Sequence, residues 1–108
     1  MTQEDCIFCK IASGEIQADV ARKTDQLVVF KDIKPMAPVH LLIVPRRHIR
    51  GINDLAETDR DLIADMIMTG RDMAEHMGVH QSGYRLFFNV EKGGGQEVFH
   101  LHLHLIGG

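Results

Sequence analysis

The most regular pattern in the sequence alternates histidine with leucine over residues 100–105, near the end of the chain. Successive side chains of a β-strand point to opposite faces of a sheet, so the pattern predicts a strand over residues 100–106. The three histidines, His100, His102 and His104, would line one face and the leucines the other. Neighbouring imidazole rings would then stand about 6–7 Å apart, a spacing that suits one small anionic group met by several rings.

Shorter apolar runs predict four further strands and a short helix. The helix covers residues 7–14, with Gly14 as its end. Two of the strands flank three polar residues at positions 24–26, which favours a β-hairpin. The predicted strands are 20–23, 27–31, 40–45 and 84–90.

One long helix is predicted between a capping signal and a glycine. Thr58 followed three residues later by Asp61 resembles a capping box, and apolar residues then recur at helical spacing as far as Gly78. These apolar residues are Leu62, Ile63, Met66, Ile67, Met73, Ala74 and Met77. Counting Met68, the helix carries four methionines, a soft surface that packs either on the sheet or on a second copy of the chain. Met68 and Met73 are expected to form the surface that would meet a second copy. Together the elements predict an α+β fold with a mostly antiparallel five-stranded sheet, one long helix and a short N-terminal helix.

Length and charge narrow the class of protein. The 108 residues predict one domain over residues 1–108. A net charge of −3 and a pI near 6.1 argue against a nucleic-acid partner, so any phosphate site has to be local. The apolar runs are too short to cross a bilayer and the first residues are polar, so we expect no membrane partner and a cytoplasmic location.

The two cysteines, Cys6 and Cys9, are separated by two residues. In a cytoplasmic chain this spacing indicates a redox pair or a metal site more often than a structural disulfide. A thioredoxin-like redox pair needs a preceding strand, and only five residues precede Cys6. A metal site, free thiols and a disulfide stay open as alternatives.

The histidine strand also has alternative interpretations. Its histidines are polar filler on a half-exposed strand, ligands of a metal ion, or rings that act on an anionic group. Their shared face, directly after the glycines at positions 93–95, favours the anion. The glycines alone are weak evidence for a phosphate site, because a flexible turn has the same composition.

The segment from His100 to His104 with its following apolar pair, preceded by Asn89 and the Gly94-Gly95-Gln96 run, resembles the signature of the histidine triad superfamily. The resemblance is to its branch of small nucleotide-binding phosphoramidases and covers nearly the whole chain. Other positions that match this branch are Ile7, Phe8, Phe30, Asp32, Ile33, Pro35, Ala37, Pro38, His40, Pro45 and His48. The resemblance implies an α+β homodimer that hydrolyses or transfers nucleoside monophosphates from their α-phosphorus, with a purine nucleotide similar to AMP or GMP as substrate.

The resemblance also implies roles for the histidines. His102 would be the nucleophile, attacking the α-phosphorus to form a nucleotidyl-imidazole that water then cleaves. His104 would hold the phosphate oxygens, and His100 and His40 would orient the other two from behind. Fixed hydrogen-bond donors lower the barrier because negative charge accumulates around the phosphorus during the reaction. The candidate donors are Asn89, Gln96 and the backbone amides of Gly95 and Val98.

On the nucleoside side, the resemblance implies that Asp32 accepts the ribose hydroxyls. The residues that would wall the base are Phe8, Ile16, Phe30 and Ile33. Without the resemblance, Asp32 is a typical turn residue, and Phe8 and Phe30 are plain core. Glu97 replaces a serine of many relatives, and its carboxylate would repel an anion unless it turns away. The chain also ends at Gly108, whereas many members continue into a tail that shapes the leaving-group side, so substrate preference stays open.

Some triad proteins bind zinc through paired cysteines near the start, a histidine after the third strand and the first histidine of the triad. The residues that match here are Cys6, Cys9, His48 and His100. Two thiolates and two imidazoles form a closed tetrahedral set typical of structural zinc. His100 would then be unavailable for catalysis, while His102 would stay free. Two other functions use the same residues: cleavage of dinucleoside polyphosphates, as in a related branch, and nucleotide binding by a catalytically weak interaction module.

Overall fold

The computed structural model describes residues 5–108. In chain order its helices and strands are α1 (Ile7–Ser13), β1 (Val20–Lys23), β2 (Leu27–Lys31), β3 (Val39–Pro45), α2 (Arg60–His76), β4 (Tyr84–Phe87) and β5 (Leu103–Gly107). The strands form one five-stranded sheet in the order β1-β2-β3-β5-β4, and every neighbouring pair is antiparallel. The predicted α+β fold, with one long helix and a short N-terminal helix, is confirmed.

Strand boundaries differ from the predicted ones where the chain leaves the sheet. β4 ends at Phe87 instead of residue 90, and β5 begins at Leu103 instead of His100. Between them the chain makes a turn of 3-10 helix (Lys92–Gly94) and reverses at Gly95, whose φ of 87° favours glycine. The N–H of Leu101 then donates to the carbonyl of Ile49 at 2.7 Å, so this segment bonds to the chain after β3 before it joins the sheet.

The sheet separates two clusters of buried side chains. One face packs against α2 and contains the leucines of the alternating pattern, Leu101, Leu103 and Leu105. The other face packs against α1, with Phe8, Val28, Phe30 and Leu42 among its buried residues. The ring of Phe8 lies 5.1 Å from that of His102, so the histidines are on the α1 side. Leucines and histidines therefore face opposite sides as predicted, but the histidine face is buried as well.

The ends of α2 depend on an acid and a glycine. Asp59, rather than Thr58, organises the start: its carboxylate accepts the N–H of Ala56 at 2.8 Å and pairs with Arg47. The hydrogen bond from the Ala56 N–H, followed by that from Arg47, holds the pKa of Asp59 below its ordinary value. The helix ends at His76, two residues before the predicted Gly78, and Gly78 then turns the chain away with a φ of 77°.

The methionines of α2 divide between the core and the surface. Met66 and Met73 are 0% and 1% exposed, so the expectation that Met73 contributes to a surface is wrong, and it packs on the sheet. Met68, at 45%, and Ile67, at 38%, form the exposed apolar part of the helix. Among residues 5–108, neither helix combines the length and apolar character that crossing a membrane requires.

Candidate active site

Four histidine rings converge on the α1 side of the sheet: His40 from β3, His104 from β5, and His100 and His102 from the segment before β5. His100 is fully buried, whereas His102 and His104 each keep 8% of their surface exposed. The ring centroids of His102 and His104 lie 4.9 Å apart. This distance is shorter than the predicted spacing of about 6–7 Å, because the side chains tilt toward each other.

The position of the proton on His102 follows from its hydrogen bond to the backbone. Nδ1 lies 2.7 Å from the carbonyl oxygen of His100, so Nδ1 carries the proton and donates it. Burial lowers the pKa of His102, which keeps the ring neutral near pH 7. Nε2 is therefore the nitrogen with a free lone pair, the form that a nucleophile requires.

A chain of hydrogen bonds fixes the proton of His104. The N–H of Met36 donates to Nδ1 of His40 at 3.1 Å, so the neutral His40 ring carries its proton on Nε2. That Nε2–H donates to Nδ1 of His104 at 3.0 Å, and Nε2 also lies 3.3 Å from a carboxylate oxygen of Asp32. With Nδ1 as acceptor, His104 carries its own proton on Nε2.

The Nε2 atom of His104 is a buried donor without a hydrogen-bond partner among residues 5–108. Burial, reinforced by His102 and His40, lowers the pKa of His104 to about 4, so the ring stays neutral and Nε2–H remains available to an acceptor. An unsatisfied buried donor costs about 1–3 kcal/mol. An anionic ligand oxygen would remove that cost.

The ligand atoms of Asp32, His40 and His104 lie within 4.8 Å of one another, close enough to share a metal ion. The tautomers argue against that use. Because the Met36 N–H occupies Nδ1 of His40, the Nε2 that would face the metal already holds a proton. The same hydrogen bonds instead suit a role in which His40 orients the ring of His104.

The loop after β4 contains the predicted phosphate donors, and two of them already hydrogen-bond to backbone groups of the protein. The Gln96 side chain donates to the carbonyls of Arg50 (2.9 Å) and Val98 (3.1 Å) and accepts the N–H of Glu91 at 2.9 Å. The N–H of Gly95 donates to the carbonyl of Lys92. Gln96 therefore holds the loop together rather than offering a free amide. Asn89 lies beside Gly95, Val98 packs on the α1-side cluster, and Glu97 is exposed.

The predicted base-wall residues fall into two groups. Phe8 and Phe30 are buried and meet edge to face with ring centroids 5.4 Å apart, so they form a floor under the site. Ile16 and Ile33 are on the surface, 37% and 86% exposed. Asp32 is half-buried, and one of its oxygens accepts the N–H of Lys34 at 2.9 Å. These surface isoleucines are apolar area open to a ligand.

The two cysteines meet His48 and His100 in one cluster whose ligand atoms lie within 4.8 Å of one another. Nδ1 of His100 is 3.2 Å from Sγ of Cys6 and 3.4 Å from Sγ of Cys9, and it is 3.2 Å from Nδ1 of His48. Metal–ligand lengths of about 2.3 Å for sulfur and 2.0–2.1 Å for nitrogen put tetrahedral ligand atoms about 3.3–3.8 Å apart, with nitrogen pairs at the short end. The cluster therefore has nearly the size of a closed zinc site.

The protonation of His100 suits a metal, whereas the cysteine thiols would have to lose their protons. Nε2 of His100 donates to the carbonyl of Pro45 at 2.7 Å, which turns the lone pair of Nδ1 toward the sulfurs. Burial lowers the pKa of His100 to about 4, so its ring is neutral. Burial and the neighbouring Cys6 raise the pKa of the Cys9 thiol to about 11. A metal would have to displace the thiol protons, which makes its binding pH-dependent.

Three features of the site were not predicted from the sequence. Phe87 stacks on His104, the carbonyl of Pro45 orients His100, and Arg50 pairs with Glu91 through two hydrogen bonds of 2.6 and 2.9 Å. The first could be found by pairing Phe87 with His104 across β4 and β5. The other two join residues far apart in sequence and have no local signal.

The chain is similar to known proteins over nearly its whole length. A family model described as "Scavenger mRNA decapping enzyme C-term binding" matches residues 5–108. The purine nucleoside phosphoramidase of Escherichia coli (strain K12) is 41% identical over 105 residues, which are 97% of this chain and 88% of that protein. A HIT family hydrolase from Legionella pneumophila Philadelphia 1 is 50% identical, with a TM-score of 0.95 over 96% of this chain and 93% of that one.

A zinc-bound histidine triad family protein from Mycobacterium smegmatis is more distant. It is 27% identical with a TM-score of 0.84, over 98% of this chain and 76% of that one. The histidine pattern, the sheet order and these similarities agree over nearly the whole length. The chain therefore belongs to the histidine triad family of hydrolases.

Proposed function

We propose that the protein hydrolyses purine nucleoside phosphoramidates by way of a nucleotide bound covalently to His102. The observation that carries the proposal is the pairing of opposite hydrogen-bonding characters on two adjacent rings. Nε2 of His102 has a free lone pair, and Nε2–H of His104 is a buried donor without a partner among residues 5–108. The two ring centroids lie 4.9 Å apart. A phosphoryl group needs both, a nucleophile for phosphorus and a donor for its oxygens.

In the first step, Nε2 of His102 forms a bond to the α-phosphorus while the phosphorus–nitrogen bond breaks, and the leaving nitrogen keeps the bonding electron pair, takes a proton from solvent water and departs as the amine. The imidazole becomes cationic, and its Nδ1–H stays on the carbonyl of His100, which stabilises that charge. Water then attacks phosphorus and releases a proton to solvent, the bond to His102 breaks with its electron pair returning to Nε2, and the nucleoside monophosphate departs. His104 donates to a phosphoryl oxygen in both steps, so its hydrogen bond strengthens as negative charge builds.

The nucleoside would lie over the surface next to the histidines. Asp32 would accept the ribose hydroxyls, and Ile16 and Ile33 would pack on the base above Phe8 and Phe30. Asn89 and the Val98 amide would complement His104 on the phosphate, while Gln96 and Gly95 shape the loop that presents them. The exposed area of the two isoleucines and the name of the E. coli relative support a purine.

Cys6, Cys9, His48 and His100 would hold one structural zinc ion. Two observations support this assignment: the separations of the ligand atoms, and the Nε2–H of His100, which donates to the carbonyl of Pro45 and leaves Nδ1 free for a metal. Zinc would supply no catalytic chemistry there and would join α1 to the segments after β3 and before β5. Metal analysis of protein purified without a histidine tag tests the site: under roughly 0.2 zinc per chain with intact thiols would refute it.

We also propose a homodimer. β4 is at an edge of the sheet, and the exposed apolar residues Ile67 and Met68 are on the helix whose other side packs on the sheet near β4. An open edge strand and an apolar helix surface are the features that a symmetric partner covers.

The decisive experiment replaces His102 by Ala and compares turnover of an adenosine phosphoramidate with that of the wild type. We expect kcat to fall by at least about 10³-fold, because the nucleophile is removed, while AMP binding changes little. His80→Ala, the same change at an exposed histidine, is the matched control. A variant His102→Ala that kept a tenth of the wild-type rate would refute the nucleophile.

Substrate class is tested with the wild-type protein by measuring an adenosine phosphoramidate and a diadenosine polyphosphate side by side. The proposal expects a higher kcat/KM for the phosphoramidate. A higher value for the polyphosphate would identify the other branch of the family. AMP binding without a burst of product from any activated nucleotide would instead identify a binding module.

A further inference from the structure

A phenyl ring lies flat against His104. Phe87 of β4 is the partner of His104 across the two strands, with ring centroids 4.7 Å apart and planes only 9° from parallel. The guanidinium of Arg85 covers Phe87, its central carbon 5.0 Å from the ring centroid. The single ring of Phe87 therefore contacts the Arg85 cation and also stacks on the His104 imidazole.

The orientation of the His104 ring needs more than its hydrogen bond. The contact from His40 reaches one atom, Nδ1, at 3.0 Å. The torsion that turns an imidazole about its bond to Cβ has a broad minimum, so one hydrogen bond leaves the ring plane free to tilt. A tilt about Nδ1 displaces Nε2, the atom on the other side of the ring. A flat surface against the imidazole restricts that tilt.

We propose that Phe87 is a positioning residue for His104, whose plane it fixes so that the Nε2–H points at the reacting phosphate. The proposal rests on the proposed function for the identity of the acceptor, but the restraint on the ring is a property of the protein alone. Phe87 touches no substrate in this scheme. It acts only through His104.

The shape of Phe87 matters more than its hydrophobicity. Leucine has similar apolar character, but it presents methyl groups instead of a plane. Stacked aromatic pairs contribute about 0.5–1.5 kcal/mol beyond area burial, equivalent to about a 2- to 12-fold change in a rate or equilibrium. We expect the loss to fall on kcat, because the His104 hydrogen bond strengthens as charge develops on the phosphate.

The test compares Phe87→Leu and Phe87→Tyr with Phe88→Leu. Phe88 is the matched control, since it follows Phe87 in sequence but packs on the α2-side cluster, away from the histidines. For Phe87→Leu we expect kcat for an adenosine phosphoramidate to fall about 5- to 10-fold with KM changed less than about twofold. Phe87→Tyr keeps the plane and should restore kcat to within about twofold of the wild type, and Phe88→Leu should stay within the same limit.

A second readout follows the ring directly, by NMR of protein labelled with ¹⁵N in its histidines. We expect sharp His104 ring signals in the wild type and Phe87→Tyr, and broadened or averaged signals in Phe87→Leu. Thermal unfolding of all variants shows whether lost stability alone explains a loss of rate, since Phe88→Leu also removes core contacts.

The outcomes separate the two proposals. If the wild type hydrolyses phosphoramidates and Phe87→Leu behaves like Phe88→Leu in kcat and in NMR, the positioning role of Phe87 is refuted. If the wild type hydrolyses none, the proposed function fails. The NMR comparison then still decides whether Phe87 fixes the ring of His104.

Discussion

Replacing Gln96 by Met should destabilise the protein by loosening the loop after β4 that contains the glycines at positions 93–95, called here the glycine loop. Gln96 is 5% exposed, and its amide group makes three hydrogen bonds, accepting from Glu91 and donating to two carbonyls. Methionine has a similar length and volume but makes none of these bonds. The backbone of Gly51 packs closely against the Gln96 amide group, since a Cβ on Gly51 would lie 3.2 Å from the amide oxygen. A methionine side chain at position 96 therefore has little room to rearrange.

The expected loss follows from the bonds. Each intramolecular hydrogen bond contributes about 0.5–1.5 kcal/mol net, so three predict a decrease of about 2–4 kcal/mol in the free energy of unfolding. Two of the orphaned groups are carbonyls that water can partly satisfy, which favours the lower end of that range. With a loss of about 2 kcal/mol and a urea m-value of about 1–3 kcal/mol/M, the midpoint should fall by about 0.7–2 M.

Urea unfolding followed by circular dichroism measures this change, and Gln81→Met is the control because Gln81 is exposed. The affinity for AMP should fall as well, because in the proposed function the loop would present Asn89 and the Val98 amide to the phosphate. The reasoning is refuted if the two variants unfold within about 0.3 M of each other and bind AMP equally.

Three further predictions concern pH, metal and assembly. Burial holds the pKa of His104 at about 4 against an ordinary 6.5, so the unfolded chain binds more protons between these values. The free energy of unfolding should therefore fall by about 1–3 kcal/mol from pH 7 to pH 4 on account of this ring, and His104→Gln should flatten the decline in urea titrations. Removing zinc with a chelator should lower the thermal midpoint of wild-type protein, but not of Cys9→Ser, in scanning calorimetry; equal midpoints with and without chelator would contradict a structural metal. Met68→Asp should reduce the mass measured by light scattering to that of one chain, about 12 kDa, whereas Met36→Asp, at another exposed methionine, should not.

The fold was predictable because its elements have local signals. Alternation identified the histidine strand, two apolar runs around a polar turn identified the β1–β2 hairpin, and helical spacing identified α2. Met73 shows the limit of such reasoning, because spacing along a helix marks an apolar residue without telling which surface it meets. Its burial depends on the sheet against which α2 packs.

The grouping of the histidines and of the cysteine cluster was predictable from the sequence, but the hydrogen bonds around them were not. The resemblance named Gln96 and Gly95 as phosphate donors, yet their partners in the structure are backbone groups of the same loop and of residue 50. The Arg50–Glu91 pair joins residues 41 positions apart, and Glu91 adopts a φ of 59° that is uncommon for a non-glycine residue. No local pattern encodes such a contact, because it exists only after β3 and the glycine loop have met.

His100 explains how the proposed metal site and the proposed nucleophile, His102, coexist two residues apart. Its ring belongs to the cysteine cluster, with Nδ1 toward the sulfurs and Nε2–H on the carbonyl of Pro45, while its own backbone carbonyl accepts the proton of His102. The two tasks use different atoms, so neither excludes the other. They are still connected through one residue, because the residue whose ring enters the cysteine cluster also carries the carbonyl that sets the tautomer of His102. The alternating sequence places both on the same face of the sheet, and so the cluster next to α1 supports the residue on which the proposed chemistry depends.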